Sequence, residues 1–111
     1  MNGQPNIAQE ILEGRPFFLT VADGDVTPQL NAGDRAQTEP LDGYEGAALY
    51  ALHIDGELAI RRVTRQAGGI MLVSHDSDGA PIQKMAWAEF EDAVVGRVVA
   101  VVRELYFGGL N

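Results

Sequence analysis

Short apolar runs separated by turn residues set the pattern of this chain. Residues 17–22 form one such run, rich in aromatic and branched side chains, which predicts a buried strand. Residues 47–54 and 57–64 form two more, and they flank Asp55-Gly56. That dipeptide accepts the positive φ angles of a type I′ turn, so the pattern predicts a tight hairpin.

The second half of the chain continues the same meander. Ala67-Gly68-Gly69 predicts a turn into a strand over residues 70–74, and residues 75–81 are typical of a polar surface loop. Residues 82–87 predict another strand, and residues 87–92 a helical turn. The chain is therefore expected to be mainly β.

The first residues have the spacing of a short helix instead. Asn6 can cap its free amide groups, and Gly14 can end it in a left-handed conformation. A chain of 111 residues is long enough for one domain with a modest core. We expect a short helix and linker remnant over residues 1–15 and a single domain over residues 16–111.

The closing strand, predicted over residues 93–103, is aliphatic on both faces. A half-exposed strand alternates polar and apolar residues, so both faces of this one need cover. One face can pack on the core of its own domain and the other on a second copy; the alternative is a strand enclosed within its own fold. The candidate interface residues are Val99, Val101, Arg103, Leu105, Tyr106 and Phe107.

Composition narrows the functional classes. The formal net charge of -8 opposes direct binding to nucleic acid, which depends on neutralising phosphates with Lys and Arg. The chain has no cysteine, so disulfides and thiolate metal sites are excluded. Its first residues do not resemble a signal peptide, and no run approaches the roughly 20 apolar residues of a membrane span. We expect a cytoplasmic protein without membrane contact, metal or cofactor.

Two segments carry a family resemblance. Residues 25–34 resemble the Ser-Met-x-Pro-x-Leu-x-x-Gly-Asp signature of LexA-type and phage CI-type repressors, with Asp25 at the serine position. Residues 54–63 resemble the hairpin that ends in Lys-Arg in that family, with Arg61 at the lysine position. The order of elements from Phe18 to about Leu105 also matches. The resemblance implies twisted antiparallel sheets of the β-clip type, as in LexA and signal peptidase, and dimerisation.

In cleavable relatives a Ser/Lys dyad cuts a peptide bond of the upstream linker. A guanidinium stays protonated at any relevant pH, so Arg61 cannot replace the lysine base. Asp25 is a weak nucleophile toward an amide. The Ala-Gly pairs of this sequence, at Ala32-Gly33 and Ala67-Gly68, both follow Asp25, so no upstream cleavage target is visible. The substitutions predict a domain that is inactive in self-cleavage.

The family geometry places the two dyad side chains against each other. We therefore predict that Asp25 and Arg61 form a charge-assisted hydrogen-bonded pair, bidentate if the guanidinium fork meets both oxygens. The alternative is that both side chains point into solvent. The resemblance implies the oligomerisation and regulatory domain of a phage or prophage repressor, at least dimeric, with DNA bound through a separate N-terminal domain. An antirepressor protein is a further partner to expect.

The sequence is compatible with two other functions. One is an active peptidase with a displaced dyad, combining Lys84, the only lysine, with Thr27, Ser74 or Ser77. The other is a stand-alone module that binds a peptide or a small ligand. Residues 75–78 and 23–25 hold carboxylates and a histidine, but their spacing matches no metal site. His53 is expected to be structural or on the surface, and Trp87 and Phe90 are expected to belong to the core.

Overall fold

The computed structural model describes residues 14–22, 25, 30–75 and 81–103. These residues are mainly β, as the sequence predicts, with one short helix among them. The strands are β1 (Phe17–Thr20), β2 (Arg35–Pro40), β3 (Ala48–Ile54), β4 (Glu57–Gln66), β5 (Ile70–Ser74), β6 (Ile82–Ala86) and β7 (Val94–Val102), and the helix is α1 (Trp87–Ala93). The helix predicted at the N-terminus, before Gly14, lies outside the described residues.

The seven described strands form one antiparallel sheet in the order β1-β2-β7-β3-β4-β5-β6. From β3 to β6, each strand pairs with the next one along the chain. The closing strand β7 returns to the middle and pairs with β2 on one side and β3 on the other. Both of these pairings contain a register shift, and such irregularities increase the local twist of a sheet. The sheet curls into a half-barrel.

The β3–β4 hairpin confirms the strongest local prediction. Asp55 has φ 51° and Gly56 has φ 84°, so both central residues of the turn have the positive angles that a type I′ turn requires. The two-residue turn sets the register, which pairs Ile54 with Glu57 and Tyr50 with Arg61. Arg61 therefore lies beside a buried residue in the middle of the sheet.

Buried side chains occupy both faces of the curled sheet. In β3, Tyr50 and Leu52 belong to the largest cluster, whereas the intervening Ala51 belongs to another. The remaining members of the largest cluster are Val63, Met71, Val73, Phe90 and Val94. Phe90 is fully buried, and Trp87 packs against this cluster while partly exposed, so the prediction that both belong to the core is confirmed.

The closing strand is covered along only part of its length. Val94 and Gly96 are buried, but Val99, Val101 and Val102 are 37%, 39% and 37% exposed. The alternative of a strand enclosed within its own fold thus holds for the first half of β7 and is wrong for the second half. Of the remaining candidate interface residues, Leu105, Tyr106 and Phe107 lie outside the described residues.

In the part of the chain that the structure describes, no helix has the length and apolar character needed to cross a membrane.

Candidate functional site

Asp25 and Arg61 are in direct contact. The Arg61 Nη1 atom donates a hydrogen bond to Asp25 Oδ1 at 2.7 Å and another to the carbonyl oxygen of Ile60 at 2.8 Å. The two side chains are only 11% and 22% exposed for Asp25 and Arg61. The predicted ion pair is confirmed, and the alternative of two solvated side chains is wrong. The described contacts join the pair through one nitrogen and one oxygen, so the fork-to-fork arrangement is not formed.

The pairing between β4 and β5 ends just before it reaches Arg61. β5 pairs with β4 only from Arg62 to Gln66, so among the described strands residues 57–61 pair with β3 alone. On β3, Tyr50 lies opposite Arg61, and its hydroxyl accepts a hydrogen bond from the Glu45 amide and donates one to the Gly46 carbonyl. Burial raises the pKa of the Tyr50 hydroxyl above its usual range, so the phenol stays neutral.

Asp25 is held by the segment that joins β1 to β2. The amide of Asp25 donates to the carbonyl of Ala22 at 2.9 Å. Farther out, Val21 donates to the Asp34 carbonyl at 2.7 Å, and Gly33 donates to the Val21 carbonyl at 3.0 Å. These bonds close the segment into a loop with a narrow neck. Near the neck, Val21 and Leu30 are buried against a cluster that contains Ile60, the residue before Arg61.

A second ion pair, at the neck of this loop, is absent from the sequence-based predictions. Arg103 donates to both Asp34 oxygens, from Nε to Oδ1 at 3.0 Å and from Nη2 to Oδ2 at 2.8 Å. The amide of Asn31 donates to Oδ2 at 2.8 Å. The Arg103 hydrogen bonds, followed by that amide, hold the pKa of Asp34 below its usual range. In the sequence, Asp34 stood out only as part of the Gly-Asp in the family signature. That dipeptide predicted a turn but no ion pair.

Two clefts meet at Arg61. One has a volume of about 280 Å³ and is lined by Ile54, Asp55, Arg61, Val73, Ser74, His75, Pro81 and Gln83. The other, of about 370 Å³, is lined by Ala22, Asp25, Ile54, Asp55, Glu57, Leu58, Ala59 and Arg61. Arg61 therefore lines both surface depressions, and Asp25 lines the second one. The pair can offer a bound chain hydrogen bonds and charge, but no neutral amine.

Among the other candidate residues that the structure describes, Ser74 and His75 line the smaller of these two clefts with Arg61. Lys84 is exposed on β6 and pairs with Leu72. Thr27 and Ser77 lie outside the described residues. His53 is exposed, so of the two expectations for it, a structural role or a place on the surface, the second is confirmed. Within the described ranges, no three His, Asp or Glu side chains lie close enough together to hold a metal ion.

Comparison with known protein families adds a direct match. The model of the Peptidase S24-like family matches residues 3–99. The chain belongs to this family. The match contains both Asp25 and Arg61, and the LexA-type and CI-type resemblance of the two segments agrees with membership of the S24-like family. No curated protein matches the sequence significantly.

Replacing Arg61 with methionine is expected to lower the free energy of unfolding by about 1–2 kcal/mol, because the nearly buried Asp25 carboxylate loses its cation. Asp25→Asn in the Arg61→Met background should recover part of that loss, since an amide costs less to bury than a carboxylate. Urea denaturation followed by circular dichroism measures both values. Arg35→Met is the control, because Arg35 lies over the exposed Phe18 ring; an equal loss there would contradict a specific role of the pair.

Proposed function

We propose that this chain is the oligomerisation and regulatory domain of a phage or prophage transcriptional repressor, acting in the cytoplasm, and that it does not cleave itself. The ion pair between Asp25 and Arg61 carries the proposal. A Ser/Lys dyad needs a lysine that can exist as a neutral amine and take the serine proton. A guanidinium remains protonated and cannot take that proton.

Asp25 does not supply an alternative nucleophile. Its Oδ1 accepts a hydrogen bond from Arg61, which withdraws electron density from an already weak nucleophile toward amides. A guanidinium is also too weak an acid to protonate the leaving nitrogen of an amide. Both halves of the acid and base chemistry that amide cleavage requires are therefore missing from these two positions.

Assembly is proposed from the exposed end of β7. Val99, Val101 and Val102 are each more than one third exposed, and Phe18 on β1 is 45% exposed. The sheet places β1, β2 and β7 side by side, and the strand register puts Phe18 and Val102 on one face and Val101 on the other, so exposed apolar side chains lie on both faces at the end of β7. The proposed partner at this surface is a second copy of the chain. Its own β7 would cover the exposed valines and the candidate interface residues that follow them, Leu105, Tyr106 and Phe107.

A dimer of this kind would act on DNA indirectly. The net charge of -8 opposes contact with phosphates, so DNA would be bound by a separate N-terminal domain. Joining two such domains raises their effective concentration at paired half-sites, and operator affinity then depends on the dimer. Without self-cleavage, induction would come from a protein that binds this domain, such as an antirepressor.

The test of inactivity is incubation of the protein with its native upstream sequence at alkaline pH, followed by mass spectrometry. We expect the intact mass throughout. A fragment would overturn the proposal, and two variants would locate its origin. Fragments lost with Arg61→Met would implicate the pair itself, whereas fragments lost with Lys84→Gln would favour the displaced dyad.

The test of assembly is the light-scattering mass of the chain over a wide concentration range. We expect a dimer, and we expect Val99→Glu to convert it into a monomer that remains folded by circular dichroism, because a carboxylate would be placed in an apolar interface. Ile82→Glu is the matched control, since Ile82 is 64% exposed on the opposite edge strand β6. A wild-type monomer would overturn the assembly proposal and favour a stand-alone module that uses the two clefts at Arg61.

A further inference from the structure

We infer that Arg103, at the end of β7, is a positioning residue for Asp25. Its guanidinium holds the carboxylate of Asp34, and Asp34 closes the loop that carries Asp25 to Arg61. The inference concerns the geometry of the site and holds whether or not the domain cleaves or assembles.

The ion pair between Asp34 and Arg103 has a fixed geometry. Val102 and Arg35 form the last pair of the ladder, so Arg103 and Asp34, the next residues outward, lie opposite each other just beyond the two strands. Two parallel hydrogen bonds, at 3.0 and 2.8 Å, set both the distance and the orientation of the carboxylate. A point charge such as lysine cannot impose that orientation.

Asp34 lies at the neck of the loop that contains Asp25. Its carboxylate accepts from the Asn31 amide and its backbone amide donates to the Asn31 carbonyl at 3.0 Å, while its carbonyl accepts from Val21. Gly33, the preceding residue, donates back to Val21. Both ends of the loop are thus bonded at Val21, and the amide of Asp25 donates to Ala22, the residue that follows Val21.

The side chains of Arg103 and Asp34 differ strongly in exposure. Exposed ion pairs contribute little to stability, and the Arg103 side chain is 45% exposed. The Asp34 side chain is only 4% exposed, so it depends on its partners for the solvation that water would give. Without Arg103, the carboxylate must turn toward water, which removes it from Asn31 and loosens the neck.

The consequence is a connection between the end of β7 and the site. A change that moves Arg103 is transmitted through Asp34 to the loop and then to the Asp25–Arg61 contact. If the proposed assembly surface at β7 is correct, docking of a second copy and the state of the site are coupled, and such coupling acts in both directions. Only this last consequence rests on the proposed function.

The experiment is Arg103→Gln in the full chain, observed by NMR. We expect amide hydrogen exchange at Val21 and Gly33 to rise by about tenfold, the size of change that loss of a hydrogen bond to a charged group produces. The Arg61 guanidinium signals should lose their protection in the same variant, while amides of the β3–β4 ladder such as Leu52 keep theirs. Arg103→Lys should give an intermediate result, and Arg35→Gln should leave all these signals unchanged.

Two results would overturn the inference. One is an unchanged Arg61 signal and an unchanged loop neck in a folded Arg103→Gln protein. The other is an equal rise in exchange at every amide, which indicates a purely global effect on stability. If Arg103→Gln does not fold, Arg103→Lys carries the same test, because it keeps the charge and loses the fork. Light scattering and mass spectrometry on the wild type test the proposed function separately.

Discussion

Replacing Phe90 with alanine is expected to lower the free energy of unfolding by about 3–5 kcal/mol, the largest effect of any change considered for this domain. Phe90 is fully buried, and it is the only buried residue of α1. Its ring meets the Tyr50 ring edge-on, with centroids 5.4 Å apart, and the Tyr44 ring in the same way at 6.1 Å. Alanine would leave a cavity among rings that are themselves anchored.

Tyr50 is held in place beside that cavity. The Tyr50 hydroxyl is tied to the loop at Glu45 and Gly46, and the Tyr50 backbone lies in β3 between two paired strands. Urea denaturation followed by circular dichroism gives the value. Glu91→Ala, at an exposed position of the same helix, is the control and should change stability by less than about 0.5 kcal/mol. A loss at Phe90 that is no larger than this control would contradict the packing described.

Replacing Gly96 with alanine is expected to lower the free energy of unfolding by about 1–3 kcal/mol through overpacking. A Cβ atom at this position would lie 2.5 Å from the Glu39 carbonyl oxygen and 2.7 Å from Thr38 Cγ2. The nearer atom belongs to the backbone of β2, so it cannot move away as a flexible side chain would. Gly96 is paired with Pro40 on one side and Ala51 on the other, which leaves no direction for β7 to shift.

The matched control is Gly43→Ala. An added Cβ at Gly43 meets no heavy atom within 4 Å, and its backbone does not have the positive φ angle that would strain an alanine. We expect that variant to be neutral or slightly stabilising, because alanine restricts the unfolded chain more than glycine does. Thermal and urea unfolding of both variants make the comparison. Equal stability of the two variants would show that β2 and β7 separate more easily than the contacts at Gly96 indicate.

The parts of the fold that the sequence predicted well depend on neighbours in the chain. The Asp55-Gly56 turn is an example, since a type I′ hairpin is determined by the two residues between its strands. The predicted turn at residues 67–69 and the change from strand to helix at Trp87 are of the same kind. Each of these features is formed by residues close together in sequence, so their local preferences are enough.

The Asp25–Arg61 contact was predicted in a different way. The two residues are 36 positions apart, and no local pattern connects them. The prediction rested on the resemblance of two segments to one family, which carries the geometry of the fold with it. Even so, the single hydrogen bond between the side chains came from the structure, because the approach of the guanidinium depends on where β4 lies relative to the loop.

By itself, the sequence determined a mainly β domain, the central hairpin, the core aromatic residues and, through the resemblance of two segments to one family, the contact between Asp25 and Arg61. Only the tertiary structure decided that β7 lies in the middle of the sheet, that its second half is exposed, and that Arg103 holds Asp34 across 69 positions of sequence. The physical reason is that pairing between distant strands is selected by the packing of the whole sheet. Local patterns define each strand, but they do not state which strand will lie beside it.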